Sequence, residues 1–278
     1  MREILCSGQA RSLEFPYPGG MAALCWSPAG ERGELTVSLH YDGAYGMGEK
    51  YNAVNQKGHT AVNEVEEKFC FQGEKTYCPA PFFWTNTGFG LYAATDERTS
   101  FRFGEKAVCA ELPVDCRVVL FSGMPGEIIR DYMDLFGPAK LPPKWAFGPW
   151  ISANHWDSQE KVERAVAQAE EHGFPVCALV AEAWSDEATF YVFRGARYVP
   201  KPNGGAFRLE DFDFSDSPWP DPAGMVQRLH EKGIRFLLWQ IPVYKKQGPD
   251  EPLNAQNELD QADAVARGLC VHNADGSP

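Results

Sequence analysis

Trp145-Ala146-Phe147-Gly148-Pro149-Trp150-Ile151-Ser152, then Asp157-Ser158, then Val162, Ala165, Val166 and Ala169 decide how the second half of this chain folds. The first eight residues have the apolar and aromatic make-up of a strand buried on both faces. Asp157 or Ser158 supplies an N-cap, the four small apolar residues form one stripe at helical spacing, and Gly173 stops the helix. Residues 176–181 read as a second buried strand. Asp221-Pro222 opens another helix with a cap followed by proline, turning Met225, Val226 and Leu229 inward and ending at Gly233. A third strand over 234–241 and a third helix over 258–267 follow. Strand–helix alternation with strands this apolar predicts a parallel sheet covered by helices. Only one stretch breaks the rhythm, a polar and aromatic excursion over 185–220.

Upstream the period changes. Glu34-Leu35-Thr36-Val37-Ser38-Leu39-His40-Tyr41 alternates polar and apolar residues, the mark of a strand with one wet face. Residues 82–85 and 90–94 flank Asn86-Thr87-Gly88 as a hairpin, and 107–112 and 116–121 are further short strands. Such regularly spaced strands, with Gly and Pro between them, predict a β-sandwich. Met124-Pro125-Gly126 ends that pattern, 127–136 has helical spacing, and Gly137-Pro138 closes it. Lys140-Leu141-Pro142-Pro143-Lys144 reads as a stiff linker, which predicts domains over 1–139 and 140–278. A (β/α)8 barrel takes about 250 residues by itself, so 140–278 are expected to be its first three βα units, the front portion of a longer enzyme. The plainer expectation is a small open α/β sheet, complete as written.

Composition narrows the function. Among 278 residues, 44% are hydrophobic and 13% aromatic, enough for a substantial core, which excludes a mainly disordered chain. A net charge of −12 argues against a nucleic-acid or anionic-membrane partner, since either would want a basic face. No apolar run is long enough to span a bilayer, and residues 1–15 carry no signal-peptide stretch. Eight cysteines without a CxxC pair are expected to be reduced thiols, hence a cytoplasmic protein. The six histidines never cluster and no metal-ligand spacing occurs, so no metal or cofactor is expected. Gly46-Met47-Gly48-Glu49-Lys50 lacks both phosphate-loop spacings and is not read as one.

In parallel α/β folds chemistry gathers at the C-terminal ends of strands. Here those ends carry Asn154-His155-Trp156, Glu182-Ala183-Trp184 and Trp239-Gln240. Sugar rings present apolar C–H faces and hydroxyl edges, so aromatic platforms bordered by carboxylates and amides suit them. Glu182, Trp239, Asn154, His155 and Trp184 are the candidate substrate-binding residues. Glu182 ends a buried strand and must be paired, solvated or functional. Trp239 fits a core position as well as a site, and a lone His155 is often structural. Asp186 and Glu187 read as solvated loop charges.

Several motifs resemble glycoside hydrolase family 31, the α-glucosidase and α-xylosidase group. They are Tyr45-Gly46-Met47-Gly48-Glu49-Lys50-Tyr51-Asn52 with Asn55-Gln56-Lys57-Gly58, Pro81-Phe82-Phe83 with Gly88-Phe89-Gly90-Leu91, and Gly126-Glu127-Ile128. Leu141-Pro142-Pro143-Lys144-Trp145-Ala146-Phe147-Gly148 resembles the entry into that family's barrel, and Ser158-Gln159, Trp219-Pro220-Asp221-Pro222, Leu229-His230 and Leu238-Trp239 continue in order. The resemblance implies a galactose-mutarotase-like β-sandwich on a (β/α)8 barrel that hydrolyses terminal α-linked sugars with retention and needs no cofactor. An Asp nucleophile after strand four and a later Asp acid/base, about 5–5.5 Å apart, would do so by double displacement. Neither is expected within these 278 residues, so the chain alone is expected to be inactive. The resemblance further implies that Glu182 and Trp239 line the sugar pocket and that the loop over 50–56 reaches toward the aglycone. Glu182 replaces the usual Asp-containing pattern, which argues against plain glucose specificity. The rival expectation is a catalytically inactive carbohydrate-binding or regulatory module.

Overall fold

The computed structural model describes residues 1–66, 72–73, 75–201, 204–245, 248–250 and 253–278. The chain divides into two compact units, Met1–Lys140 and Leu141–Pro278.

The first unit contains β1 (Arg2–Cys6), β2 (Arg11–Tyr17), β3 (Gly20–Ala29), β4 (Arg32–Ser38), β5 (Ala44–Gly48), β6 (Thr60–Asn63), β7 (Pro79–Thr85), β8 (Phe89–Ala94), β9 (Thr99–Phe103), β10 (Ala107–Pro113), β11 (Cys116–Ser122) and α1 (Pro125–Asp134). They form two antiparallel sheets in the orders β1-β11-β8-β7-β5 and β2-β3-β4-β10-β9-β6. The alternation in β4 sends Leu35 and Val37 inward, where they join Leu91, Val118 and Leu120 of the other sheet in one core. Aromatic rings join the two sheets edge to face: Phe83 meets Phe103 at 5.2 Å and Phe15 meets Phe89 at 6.1 Å. This geometry favours the ring quadrupoles as well as burying area.

The hairpin between β7 and β8 turns at Gly88, whose φ of +93° suits glycine. α1 begins two residues before the predicted 127, because Glu127 accepts the Met124 amide at 2.7 Å and Pro125 occupies the first turn. Ile128 and Tyr132 of this helix cover Phe82 and Phe121, with Tyr132 stacked on Phe82 at 3.8 Å. Gly46 and Gly48 bracket a bulge in β5, with Met47 between them at φ +69° and fully buried. A Cβ at Gly48 would fall against the Cys78 carbonyl oxygen, so close backbone approach explains these glycines. Seven of the cysteines are free thiols; Cys70 lies outside the described residues. Cys6 and Cys116 face each other across β1 and β11, and burial pushes their thiols up to about 12 and about 11.

The second unit contains β12 (Trp150–Ala153), α2 (Gln159–Glu171), β13 (Ala178–Ala181), α3 (Pro222–Glu231), β14 (Arg235–Leu238) and α4 (Asn254–Ala266). The three strands pair in parallel in the order β12-β13-β14. Ser158 caps α2 by accepting the Lys161 amide, and Asp221 caps α3 by accepting the Gly224 amide at 3.0 Å, with Pro222 next. Val162 and Val166 of α2 and Met225 and Leu229 of α3 pack with Leu179 in one core.

The first strand differs from expectation. Residues 145–152 are not one strand buried on both faces: Lys144–Phe147 is a 3-10 turn and the strand starts at Trp150. Pro149 has no amide to donate and contributes only its carbonyl, which accepts the Cys177 amide at 2.9 Å. Trp150 is 46% exposed and Phe147 71% exposed, since β12 is an outer strand of its sheet. β14 is also outer and spans fewer residues than the predicted 234–241, and α4 starts four residues earlier than 258.

Candidate functional site

Parallel pairing brings the C-terminal ends of β12, β13 and β14 to one side of the sheet. Ala153, Ala181 and Leu238 are in register there, and the Trp239 amide continues the ladder by donating to the Ala181 carbonyl at 3.0 Å. Glu182, half-buried, extends past β13 and accepts a hydrogen bond from the Ser152 hydroxyl of β12. Trp239 is 55% exposed. Together they line a hollow of about 320 Å³ with Ser185, Glu187, Phe190, Arg194, Gln240 and Ile241.

The five residues singled out in the sequence separate here. Glu182 and Trp239 share the hollow. Trp184 does not line it: the ring is 2% exposed, packed on Phe193 at 5.2 Å, and its indole N–H donates to the Trp239 carbonyl at 2.6 Å. Its role is to hold the backbone of Trp239. The Trp184 carbonyl also accepts the Arg194 amide at 2.8 Å, fixing a second lining residue. Asn154 and His155 are exposed in the turn after β12 and line no part of this hollow. That turn folds back through the Trp156 amide, which donates to the Ala153 carbonyl at 3.2 Å.

Asp186 is not a solvated loop charge. It is half-buried and accepts the Thr189 amide at 3.2 Å, the Thr189 hydroxyl at 3.1 Å and the Tyr198 hydroxyl at 2.9 Å. Burial, and then the Asp186 carboxylate, push the Tyr198 phenol upward, so it remains a donor. Glu187 is exposed and lines the hollow. Phe190 and Arg194 were not singled out in the sequence. Both lie in the 185–220 excursion, where no period reports facing; a cation directly after the apolar run 190–193, in a loop following a strand, was the available signal.

In the first unit, Lys50 and Gln56 anchor their loop inward. Lys50 Nζ donates to the Val62 carbonyl at 2.6 Å, and burial pushes its ammonium down. Gln56 is buried and exchanges hydrogen bonds with the Asn52 side chain at 3.2 and 3.3 Å.

Chemically the hollow offers one half-exposed indole face, two carboxylates and one guanidinium. Carboxylates accept from hydroxyls, guanidinium donates to them, and the indole takes the C–H face of a ring. Among the described residues, no group of three or more His, Cys, Asp or Glu is placed to hold a metal ion. No described helix is long and apolar enough to cross a membrane.

Such a hollow lies at the strand tips of a parallel sheet, where α/β folds place their ligands. Residues 139–278 match the glycosyl hydrolases family 31 TIM-barrel domain, and the chain belongs to that family. The 1,3-alpha-isomaltosidase of Kribbella flavida is 33% identical over 270 residues, covering 93% of this chain and 37% of that protein. An isomaltosyltransferase of Sporosarcina globispora is 32% identical over 243 residues, 84% of this chain and 22% of its own. The cycloalternan-degrading enzyme from Trueperella pyogenes, solved in complex with isomaltose, matches with a TM-score of 0.75 at 32% identity, covering 97% of this chain and 42% of that one. This chain thus spans less than half the length of these relatives.

Proposed function

We propose that these residues form the N-terminal sandwich and the first three βα units of the barrel of a retaining α-glycosidase, and that the hollow at the strand tips is one wall of its sugar pocket. One observation carries the reading: a half-exposed Trp239 and a half-buried Glu182 share that hollow at the ends of adjacent parallel strands. The relatives support an α-linked glucose disaccharide such as isomaltose as the ligand to test. In this reading Trp239 stacks on the sugar ring, Glu182 accepts from its hydroxyls, and Arg194 donates to the ring or hydroxyl oxygens. Ser152 fixes the Glu182 carboxylate so that its remaining acceptor positions face the ligand.

The reacting carboxylates are assigned elsewhere. Retaining hydrolysis needs two carboxyls about 5–5.5 Å apart, one nucleophile and one acid/base. Glu182 is tied to Ser152, Asp186 to Thr189 and Tyr198, and Asp221 caps α3. None of these is proposed as a nucleophile.

Calorimetric titration of isomaltose tests the binding reading. Saturable binding that weakens about tenfold in Trp239→Ala is expected, the order of one aromatic platform; unchanged affinity in that variant would overturn it. The chain alone is expected to release no aglycone from aryl α-glucosides. Appreciable turnover would place the reacting groups within these residues.

A further inference from the structure

α4 buries the wrong kind of residue for a covering helix. Its inward positions Gln256, Asn257 and Asp260 are polar, and each is more than nine-tenths buried. Burying such groups is costly unless they are hydrogen-bonded, so what they bond shows what the helix holds.

Asp260 accepts the Tyr191 hydroxyl through one oxygen, and through the other the Phe207 amide at 2.8 Å and the Gln256 side-chain amide at 3.0 Å. Gln256 accepts the Lys201 amide at 2.7 Å and donates to the Gly205 carbonyl at 3.1 Å. Apart from the Gln256–Asp260 bond within α4, these bonds grip the excursion that follows β13. Asn257 donates to the Lys245 carbonyl at 3.1 Å. Lys245 in turn donates to the Glu187 carbonyl at 2.9 Å, with its ammonium 5.4 Å from the centroid of the Phe190 ring.

Both arms meet at one place. Tyr191 adjoins Phe190, Lys245 touches Glu187 and Phe190, and Glu187 and Phe190 line the hollow. Phe190 sits at φ +63°, the left-handed region that a bulky side chain adopts only under constraint. Strained backbone of this kind persists where its surroundings over-determine it, and it concentrates at ligand clamps. Burial, and then Asp260, push the Tyr191 phenol upward, so the Tyr191 hydroxyl remains a donor to the carboxylate.

We propose that Asp260 and Asn257 of α4 are positioning residues for the hollow, holding the wall made by Glu187 and Phe190 through Tyr191 and Lys245. The proposal rests on the reading of the hollow as a saccharide site, and binding geometry of this kind loses much of its effect when a wall shifts by about 1 Å.

Amide exchange by mass spectrometry and isomaltose titration, run on the same variants of the full chain, test it. Asp260→Ala is expected to raise exchange over 186–194 about tenfold, leave β12, β13, α2 and α3 unchanged, and weaken isomaltose about tenfold. Asp260→Asn keeps an oxygen for the Phe207 and Gln256 donors and an amide that the Tyr191 oxygen can accept. It is expected to stay within about threefold of the parent in both readouts. Should Asp260→Ala fail to fold, Tyr191→Phe removes one hydroxyl and is expected to raise exchange over the same segment. Unchanged exchange over 186–194, or a rise spread equally over α2 and α3, would overturn the proposal. So would loosened exchange with undiminished affinity. If the parent chain binds no isomaltose, the saccharide reading fails, while the exchange pattern still decides whether α4 holds that wall.

Discussion

The two units solve the same problem, covering a sheet, in opposite ways. In the first, each sheet is the other's cover: Leu35, Leu91, Phe83 and Phe103 share one core, and α1 shields the outer face at Phe82 and Phe121. In the second, among the described strands, β13 alone is mostly buried, while β12 and β14 are partly open to solvent along their length. The first unit therefore draws its order from apolar interdigitation. The second combines a smaller apolar core with the hydrogen-bonded clamp of α4, and its solvent-facing strand tips are free to carry a site. A core closed on both sides has little room for a ligand; a sheet whose strand ends open onto a hollow does.

That contrast sets an order of expected effects. Phe83→Ala removes a fully buried ring that touches Phe89, Phe101 and Phe103, and is expected to cost about 3–5 kcal/mol by chemical denaturation. Leu179→Ala, on β13, which pairs with a strand on each side, should cost about 2–4 kcal/mol. Trp150→Ala on β12 should stay near 1 kcal/mol, because the ring is nearly half exposed; a cost equal to that of Phe83→Ala would erase the contrast. Ser158→Ala removes the α2 cap and should lower stability by about 1 kcal/mol, with the loss confined to the second unit.

The smallest effect is acid-dependent. The Ser215 hydroxyl and amide, and then Arg197, hold the Asp213 carboxyl at about 2, below its ordinary 3.8. A folded value below the unfolded one means the contribution is present above about pH 4 and lost as the pH falls toward 2. Protection of the Arg197 and Asp213 amides, which bond each other's carbonyls, taken relative to the intrinsic exchange rate at each pH, should fall over that interval and not above it. A loss of protection centred near neutrality would assign the bridge to another group.

Legibility in the sequence follows the same divide. Period-2 alternation in β4 and the Asn86-Thr87-Gly88 turn were readable because each is local, as were the Ser158 and Asp221-Pro222 caps. Pro149 was readable too, yet the aromatic run around it outweighed the missing amide, and the strand came out short and outer. The excursion over 185–220 was not legible: the Tyr191–Asp260 bond spans 69 residues, and no local spacing announces it. Trp184 and Trp239 look alike at the ends of neighbouring strands. Which one faces the hollow is settled by the Trp184 indole N–H finding the Trp239 carbonyl, a partner 55 residues away. Asn154 and His155 share the strand-tip position but turn back with the Trp156 amide, so the topological rule gathers the strand ends on one side of the sheet without telling which side chains line the hollow there.

The central claim is that Trp239 presents its face to a sugar in this hollow. Nitrogen-15 labelling of the tryptophans and titration with isomaltose, followed at the indole N–H signals, tests it most directly. A saturable shift of the Trp239 signal is expected, with a still signal from Trp26, whose N–H is held by the Ser7 carbonyl in the first unit. A Trp239 signal that stays in place while isomaltose binds, or shifts shared equally with Trp26, would contradict it.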